Sequence, residues 1–134
     1  MGQAAARGTD PVKGTDTHLC LVPSATGSTP TLIPGHVFSG TLTSGLSSSV
    51  TIDGLPAATV DSVAVNQPSH TPMPPGTSFV RPPSNRGVVS RGSSSVTIGG
   101  KAAARSADPV RSCNDPQDAD TSAITSGSPG VSIG

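Results

Sequence analysis

Residues 93–105 read SSSVTIGGKAAAR, and close copies of this stretch recur along the chain. Residues 47–58, SSSVTIDGLPAA, repeat it almost residue by residue. In both copies valine and isoleucine alternate with threonine, which predicts a short strand with one buried face. Gly99-Gly100 and Asp53-Gly54 then allow the positive φ angles of a tight hairpin turn. Each unit therefore reads as a strand, a glycine turn and a returning strand of small residues.

A third copy is divided between the two ends of the chain. The start, GQAAARGTDPV at 2–12, aligns with GKAAARSADPV at 100–110. The end, GSPGVSIG at 127–134, aligns with GSSSVTIG at 92–99. Such self-similarity is typical of units that cannot bury their apolar face alone. The sequence therefore predicts one domain spanning 1–134, with approximate threefold symmetry and with the termini completing one repeat.

The composition by itself favours disorder, because the 134 residues include 16 Gly and 14 Pro and no Trp or Tyr. A disordered linker with accidental repeats is thus an alternative, but the patterned apolar residues argue for an all-β fold with short strands and long Pro/Gly-rich loops. The net charge is zero, which argues against a nucleic-acid partner. No apolar run is long enough to span a membrane, and the N-terminus does not resemble a signal peptide. We expect synthesis in the cytoplasm.

Three loops are expected between the repeated units. The first covers Thr15–Ser44, with an extra strand around Val37–Leu42. The second, Asn66–Gly87, is rich in proline and is expected to be an extended surface loop. The third is a polar turn within Ser112–Ala123, where Asn and Asp follow a cysteine.

The repeat alignment brings the histidines and one cysteine into relation. Asp10, Ser62 and Asp108 occupy equivalent positions, and His18 and His70 lie equally far beyond the first two. Cys113 lies in the matching third loop beyond Asp108. Because equivalent positions surround one axis in a threefold object, His18, His70 and Cys113 should converge, with His36 available from the first loop.

Three imidazoles and one thiolate form a tetrahedral ligand set suited to structural Zn²⁺. From loop position Cys113 is favoured as the sulfur ligand, and Cys20 remains an alternative. The two cysteines could instead form a disulfide, which a cytosolic origin disfavours. A Cys–His nucleophilic site lacks any accompanying nucleophile or oxyanion motif, so catalysis is the least favoured function. Arg7 and Arg105, at matched places, are expected to be structural.

The motif carried by Lys101-Ala102-Ala103-Ala104-Arg105, followed by Asp108, resembles the Pro-Ala-Ala-Arg motif of PAAR-repeat proteins. Ala4–Arg7 and Pro56–Ala58 repeat it. Ala102 replaces the family's proline, and Thr59 replaces the arginine in the middle copy. The chain is also similar to the PAAR-like branch with an Asp-x-His-x-Cys segment, a Pro-x-His segment and a Cys-Asn-Asp-Pro turn.

The resemblance implies a β-rich cone that caps the trimeric, VgrG-type spike of a contractile injection system, such as a type VI secretion system or a phage-tail-like particle. It implies a non-enzymatic tip, present as one copy per spike trimer, that helps to pierce the target envelope and meets the target membrane transiently. It also implies zinc near the vertex, held by His18, His36, His70 and Cys113.

An adaptor that attaches a separate effector to the spike is the main alternative to a tip protein. As part of an assembled particle, the protein would be delivered outward or into the target cell on contraction. The sequence does not distinguish between injection systems, targets or cargoes.

Overall fold

The computed structural model describes residues 2–134 and is built from strands, with no helix among those residues. The described part of the chain consequently offers no helix that could cross a membrane. In chain order the strands are β1 (Gln3–Ala4), β2 (Pro11–Ser24), β3 (Gly27–Ser44), β4 (Thr51–Ile52), β5 (Leu55–Pro56), β6 (Val63–Asn66), β7 (Ser78–Phe79), β8 (Arg86–Val89), β9 (Thr97–Ile98), β10 (Lys101–Ala102), β11 (Pro109–Ser112), β12 (Ala119–Ile124) and β13 (Ser132–Ile133). The predicted all-β class is confirmed.

Six strands form a closed antiparallel ring in the order β2, β3, β6, β8, β11, β12 and back to β2. The ring consists of three strand pairs, β2–β3, β6–β8 and β11–β12, one from each repeat. The short strand β7 adds to β2 on the outside. Closure leaves no free edge within the ring, which removes the usual liability of an edge strand.

The interior of the ring holds the main apolar core. Its members are fully or almost fully buried aliphatic and aromatic side chains together with alanine and one cysteine: Ala6, Val12, Phe38, Leu42, Ala58, Ala64, Val89, Ala104, Val110, Cys113 and Ile124. Phe38 is the largest of them and packs closely against Gly87, where an added Cβ would lie 3.1 Å from the Phe38 ring. Burying these side chains is the principal stabilising contribution to the ring.

Three two-stranded ribbons, β1–β13, β4–β5 and β9–β10, form a second layer that we call the ribbon layer. Their turns are those predicted: φ is 53° and 80° at Asp53 and Gly54, and 60° and 82° at Gly99 and Gly100. Two successive positive φ angles define the type I′ turn that matches the twist of a hairpin. In the remaining ribbon Gln3 pairs with Ile133, so the first and last strands form the equivalent unit.

The threefold axis passes through a ring of alanines between the two layers. The amide of Ala6 donates to the carbonyl of Ala104, Ala104 donates to Ala58, and Ala58 donates to Ala6, each at 3.0 Å. All three side chains are completely buried. Because three backbones meet here, a side chain larger than a methyl group has no space, which explains why the returning strands carry small residues.

The prediction of a loop over residues 15–44 is wrong, because β2 and β3 form one long hairpin there. The extra strand predicted around Val37–Leu42 is confirmed, since it lies within β3. Proline within this segment obscured the strand pattern. Pro30 pairs with Leu21, whose carbonyl accepts a bond from Thr77 on the opposite side. The N–H and C=O of one strand residue point the same way, so position 30 needs no donor toward β2.

The other two loop predictions hold in part. The proline-rich segment is irregular over 67–77 and 80–85, and is interrupted by β7. The third loop is confined to 113–118, because β12 already begins at Ala119.

Candidate metal centre

The three units are first aligned by a repeated turn at the start of β2, β6 and β11. A side-chain oxygen of Asp10 accepts a hydrogen bond from the amide of Arg7 at 2.8 Å, and Asp108 accepts one from Arg105 at 2.7 Å. In the middle unit Ser62 accepts the equivalent bond from Thr59 at 3.0 Å. The predicted equivalence of these three positions is therefore confirmed.

The two arginines complete these turns. The guanidinium of Arg7 binds both carboxylate oxygens of Asp10, and Arg105 binds Asp108 in the same way. In each case the hydrogen bond to the aspartate, with its negative charge, raises the pKa of the guanidinium. Both arginines therefore stabilise the scaffold, as the sequence predicts.

Six residues after Asp10, about 20 Å along an extended strand, the side chains of β2 that face the ring interior become polar. Its pairing with β3 shifts register between Asp16 and His18, where a β-bulge lies. Alternate strand residues share a face, and both side chains are 1% exposed. Ordinary alternation in β2 thus directs a carboxylate and an imidazole into the interior, and the extra residue of the bulge lies in β3 between Ile33 and His36.

Two further side chains reach the same point from the other units. His70 comes from the proline-rich loop after β6, and Cys113 directly follows β11. The ligand atoms of Asp16, His18, His70 and Cys113 all lie within 4.8 Å of one another, and we call this group the metal cluster. Cys113 Sγ is 3.9 Å from His18 Nε2 and 3.6 Å from an oxygen of Asp16.

His36, the remaining predicted ligand, lies beside the metal cluster and is not one of its four members. Its ring centroid is 5.1 Å from that of His18 and 5.7 Å from that of His70. Its Nε2 accepts a bond from the Met73 amide at 3.2 Å. Within residues 2–134 its Nδ1 is buried and has no hydrogen-bond partner. Because Nε2 accepts, neutral His36 carries its proton on Nδ1, so Nδ1 is an unpaired donor in this arrangement.

The two cysteines have separate surroundings, and both are free thiols. Cys113 belongs to the metal cluster, whereas Cys20 Sγ lies 4.0 Å from Nε2 of His36. Burial raises the pKa of the Cys113 thiol to about 11 and also raises that of Cys20. Without a nearby cation both sulfurs are therefore protonated at neutral pH. Cation binding would displace the proton, since thiolate is the ligand form.

Asp16 is the member of the metal cluster that the sequence prediction missed. One of its oxygens accepts bonds from Ser112 and Thr121, each at 2.6 Å, and the other lies 2.9 Å from His70 Nε2. Burial alone would raise the pKa of Asp16, but these hydrogen bonds outweigh it and hold the pKa below its ordinary value. The signal available in the sequence was an Asp-x-His pair, which places both side chains on one face of a strand.

The two histidines of the metal cluster direct opposite ring nitrogens toward a carboxylate. His70 Nδ1 faces the amide of Asn66 at 3.2 Å, and its Nε2 faces the carboxylate of Asp16. A carboxylate only accepts, so His70 carries its proton on Nε2. His18 instead directs Nδ1 to Asp115 at 3.4 Å and leaves Nε2 toward Cys113. His18 therefore presents a free lone pair to the interior, whereas His70 must first release a proton.

Burial also makes the histidines poor bases. It lowers the pKa of His18 and of His36 below the ordinary value, and the neighbouring His70 contributes in the same direction. Neutral imidazole is the form that binds metal. Nitrogen, sulfur and carboxylate oxygen together suit a borderline cation such as Zn²⁺, and the residues present fit such an ion.

Comparison with known proteins agrees with the repeat seen in the sequence and the structure. Residues 81–134 match the family model described as PAAR motif, which covers the copy at 93–105 and the last strand. No curated protein matches the chain. The match, the three repeated units and the Ala-Ala-Arg turns have one consistent explanation. Over residues 81–134 the chain is therefore similar to the PAAR-repeat proteins, a family found at the spike tips of contractile injection systems.

Proposed function

We propose that this protein caps and sharpens the trimeric spike of a contractile injection system as a non-enzymatic tip. The observation that carries the proposal is a threefold set of exposed valines, each directly before a strand of the ribbon layer. Val50, Val96 and Val131 are 37%, 36% and 39% exposed. Large side chains left in water at three equivalent places fit a partner that presents the same contact three times.

The equivalence of the three valines extends to their backbone. Each valine amide binds the hydroxyl of a serine three residues earlier, Ser47, Ser93 or Ser128, at 2.9–3.0 Å. Each valine carbonyl accepts a bond from an alanine amide, that of Ala57, Ala103 or Ala5, at 2.9–3.0 Å. A single chain can thereby match the blunt end of a trimer, with one copy per spike.

The partner is tested by mixing the protein with a trimeric VgrG-type spike and measuring stoichiometry by native mass spectrometry. We expect one chain per trimer, and weaker binding for Val50→Asp, Val96→Asp or Val131→Asp. Leu32→Asp is the matched control, because Leu32 is 50% exposed but lies on the long hairpin outside the ribbon layer. Equal binding by all variants, or loss only in the control, would contradict the proposed docking face.

The second part of the proposal is a structural zinc ion held by His18, His70 and Cys113, which the metal cluster brings together, with His36 or Asp16 as the fourth ligand. At this end buried polar side chains from all three units converge, so a metal would hold the units together. Tag-free protein should contain about one zinc per chain by elemental mass spectrometry. His70→Ala and Cys113→Ser should lose the metal and thermal stability. Folded native protein without metal would end this part of the proposal.

An adaptor role is the second candidate function, and one surface feature favours it. Leu19, Leu32, Val80 and Pro116 line an open groove of 390 Å³ beside Arg81. Leu32 and Val80 are exposed there. We propose that a separate effector would use this groove while the ribbon layer stays on the spike. Co-purification of an effector that Val80→Asp abolishes, with spike binding unchanged, would favour the adaptor.

Within this proposal residues 1–134 act as one unit that is assembled onto the spike inside the producing cell. Contraction would then drive the tip outward and through the target envelope.

A further inference from the structure

The carboxylate of Asp115 occupies a buried position just outside the metal cluster. Asp115 lies in the loop between β11 and β12, two residues after Cys113, and is 6% exposed. Its Oδ2 accepts a hydrogen bond from the Leu19 amide at 2.8 Å and lies 3.4 Å from Nδ1 of His18. Its Oδ1 pairs with the guanidinium of Arg81. A buried carboxylate is costly, and these partners are what make its position stable.

The loop that carries Asp115 is attached to the strand that carries His18. The amide of Asp115 donates to the carbonyl of Thr17 at 2.8 Å, and the amide of Thr17 donates to the side chain of Asn114 at 2.7 Å. Both bonds are made by Thr17 on one side of His18, and the bond from the Leu19 amide to Asp115 lies on the other side. The position of the carboxylate relative to the imidazole is therefore fixed by backbone contacts as well as by the side chain itself.

We propose that Asp115 is a positioning residue for the metal centre, which holds His18 with the proton on Nδ1 so that Nε2 is presented as the ligand atom. An ionised carboxylate can only accept, so the nitrogen that faces it carries the proton. The opposite nitrogen, 3.9 Å from Cys113 Sγ, then has its lone pair free. A carboxylate behind a ligating histidine fixes its tautomer and raises its basicity.

This inference rests on the proposed metal centre, and His70 provides an internal contrast. The Nε2 of His70 is protonated toward Asp16, and its Nδ1 accepts from Asn66. His70 therefore has no carboxylate behind it that would present a ligand nitrogen. A change at Asp115 should alter the tautomer of His18 and leave that of His70 unchanged.

The test compares native protein with Asp115→Ala, Asp115→Asn and Asp118→Asn. Asparagine keeps an acceptor for the Leu19 amide but removes the charge. Asp118 is an exposed aspartate of the same loop and is the matched control. Long-range ¹H–¹⁵N NMR of the histidine rings reports the tautomers, and chelator competition reports the zinc affinity.

We expect the Nδ1–H form of His18 in native protein and in the control, and a loss of that preference in Asp115→Ala. Zinc affinity should fall about 10- to 100-fold in Asp115→Ala, less in Asp115→Asn, and remain unchanged in the control. If the alanine variant fails to fold, the same measurements on the asparagine variant still test the proposal. A residue with a structural role alone would lower stability without changing the His18 tautomer.

An unchanged His18 tautomer and unchanged zinc affinity in a folded Asp115 variant would overturn the inference. If native protein takes up no zinc, the proposed metal centre fails, but the tautomer comparison still decides whether Asp115 positions His18. The two failures are therefore distinguishable.

Discussion

The ribbon layer and the metal cluster are both built from the same three repeats, but in opposite ways. In the ribbon layer each repeat supplies the same atoms, as the bonds from the amides of Ala5, Ala57 and Ala103 to the three valine carbonyls illustrate. In the metal cluster the repeats supply different atoms: β2 provides Asp16 and His18, one loop provides His70, and another provides Cys113. The repeated part of the fold builds a scaffold, and the departures from repetition build a site.

The two regions also differ in what stabilises them. The ribbon layer depends on backbone hydrogen bonds and on small apolar side chains, which need no further partner. The metal cluster buries an aspartate, two histidines and a cysteine, and burial of polar groups costs free energy unless each is paired. The metal end should therefore depend on conditions that leave the ribbon layer unaffected.

If the proposed zinc is bound, its removal is expected to have the largest effect on stability and would separate the two regions most clearly. A ligand that binds only the folded state contributes about 4 kcal/mol when its free concentration is about 1,000 times Kd. Chelation of native protein, or His18→Ala, should remove this contribution, as measured by chemical denaturation with and without zinc. Hydrogen exchange should rise around Cys113 while the Ala58 amide stays protected. Uniform loss of protection would contradict separate stabilisation of the two ends.

Overpacking of the alanine ring tests the repeated scaffold and should have the next largest effect on stability. Ala104→Leu places a large side chain where three backbones meet, and overpacking a filled site costs about 1–3 kcal/mol. The loss should appear in denaturation of both zinc-loaded and metal-free protein. Ala25→Leu is the control, because Ala25 is exposed in the turn between β2 and β3. A well-folded Ala104→Leu protein of native stability would show that the axis has room.

A smaller difference in stability is expected when equivalent turn residues are replaced in different repeats. Asp108→Ala leaves the Arg105 amide and guanidinium without their acceptor, and an unsatisfied buried group costs about 1–3 kcal/mol. Ser62→Ala removes an uncharged hydroxyl that accepts from the Thr59 amide and donates to the Gly45 carbonyl, whereas Asp108 also makes charge-assisted bonds, which are the stronger kind, to the Arg105 guanidinium. Thermal unfolding should rank the aspartate variant as the less stable. The reverse order would show that the arginine pairs are dispensable.

The pH dependence of metal-free protein should give the smallest effect. The pKa values of His18 and His36 are lowered in the folded state, so below about pH 6.5 the unfolded chain binds protons that the folded chain does not. Stability is therefore complete above that pH and falls as the pH decreases toward the folded pKa values. The lowered pKa values of Asp16 and Asp115 affect stability only below about pH 4.

Urea denaturation at about pH 7.5 and pH 5.5 checks this expectation. The decrease should be reduced in the His18→Asn, His36→Asn double variant. Greater stability of native metal-free protein at the lower pH would contradict the assigned direction.

The sequence by itself determined the repeating scaffold. Alternation at Val96 and Ile98 and the turn at Gly99-Gly100 are local patterns, and local patterns are readable from one chain because they depend on neighbouring residues. The alignment of Asp10, Ser62 and Asp108 also brought His18, His70 and Cys113 together correctly. Symmetry supplied that long-range information, since equivalent residues surround one axis.

Only the tertiary structure decided the details that no repeat encodes. The long β2–β3 hairpin replaced a predicted loop, because Pro30 lies where no donor toward β2 is required. Asp16 entered the metal cluster, His36 was placed beside it, and Asp115 was placed behind His18. These positions depend on contacts between residues far apart in sequence, such as 18 and 115, and on the register of a bulge. Neither a contact between distant residues nor the register of a bulge leaves a local signal in the sequence when the repeats do not share it.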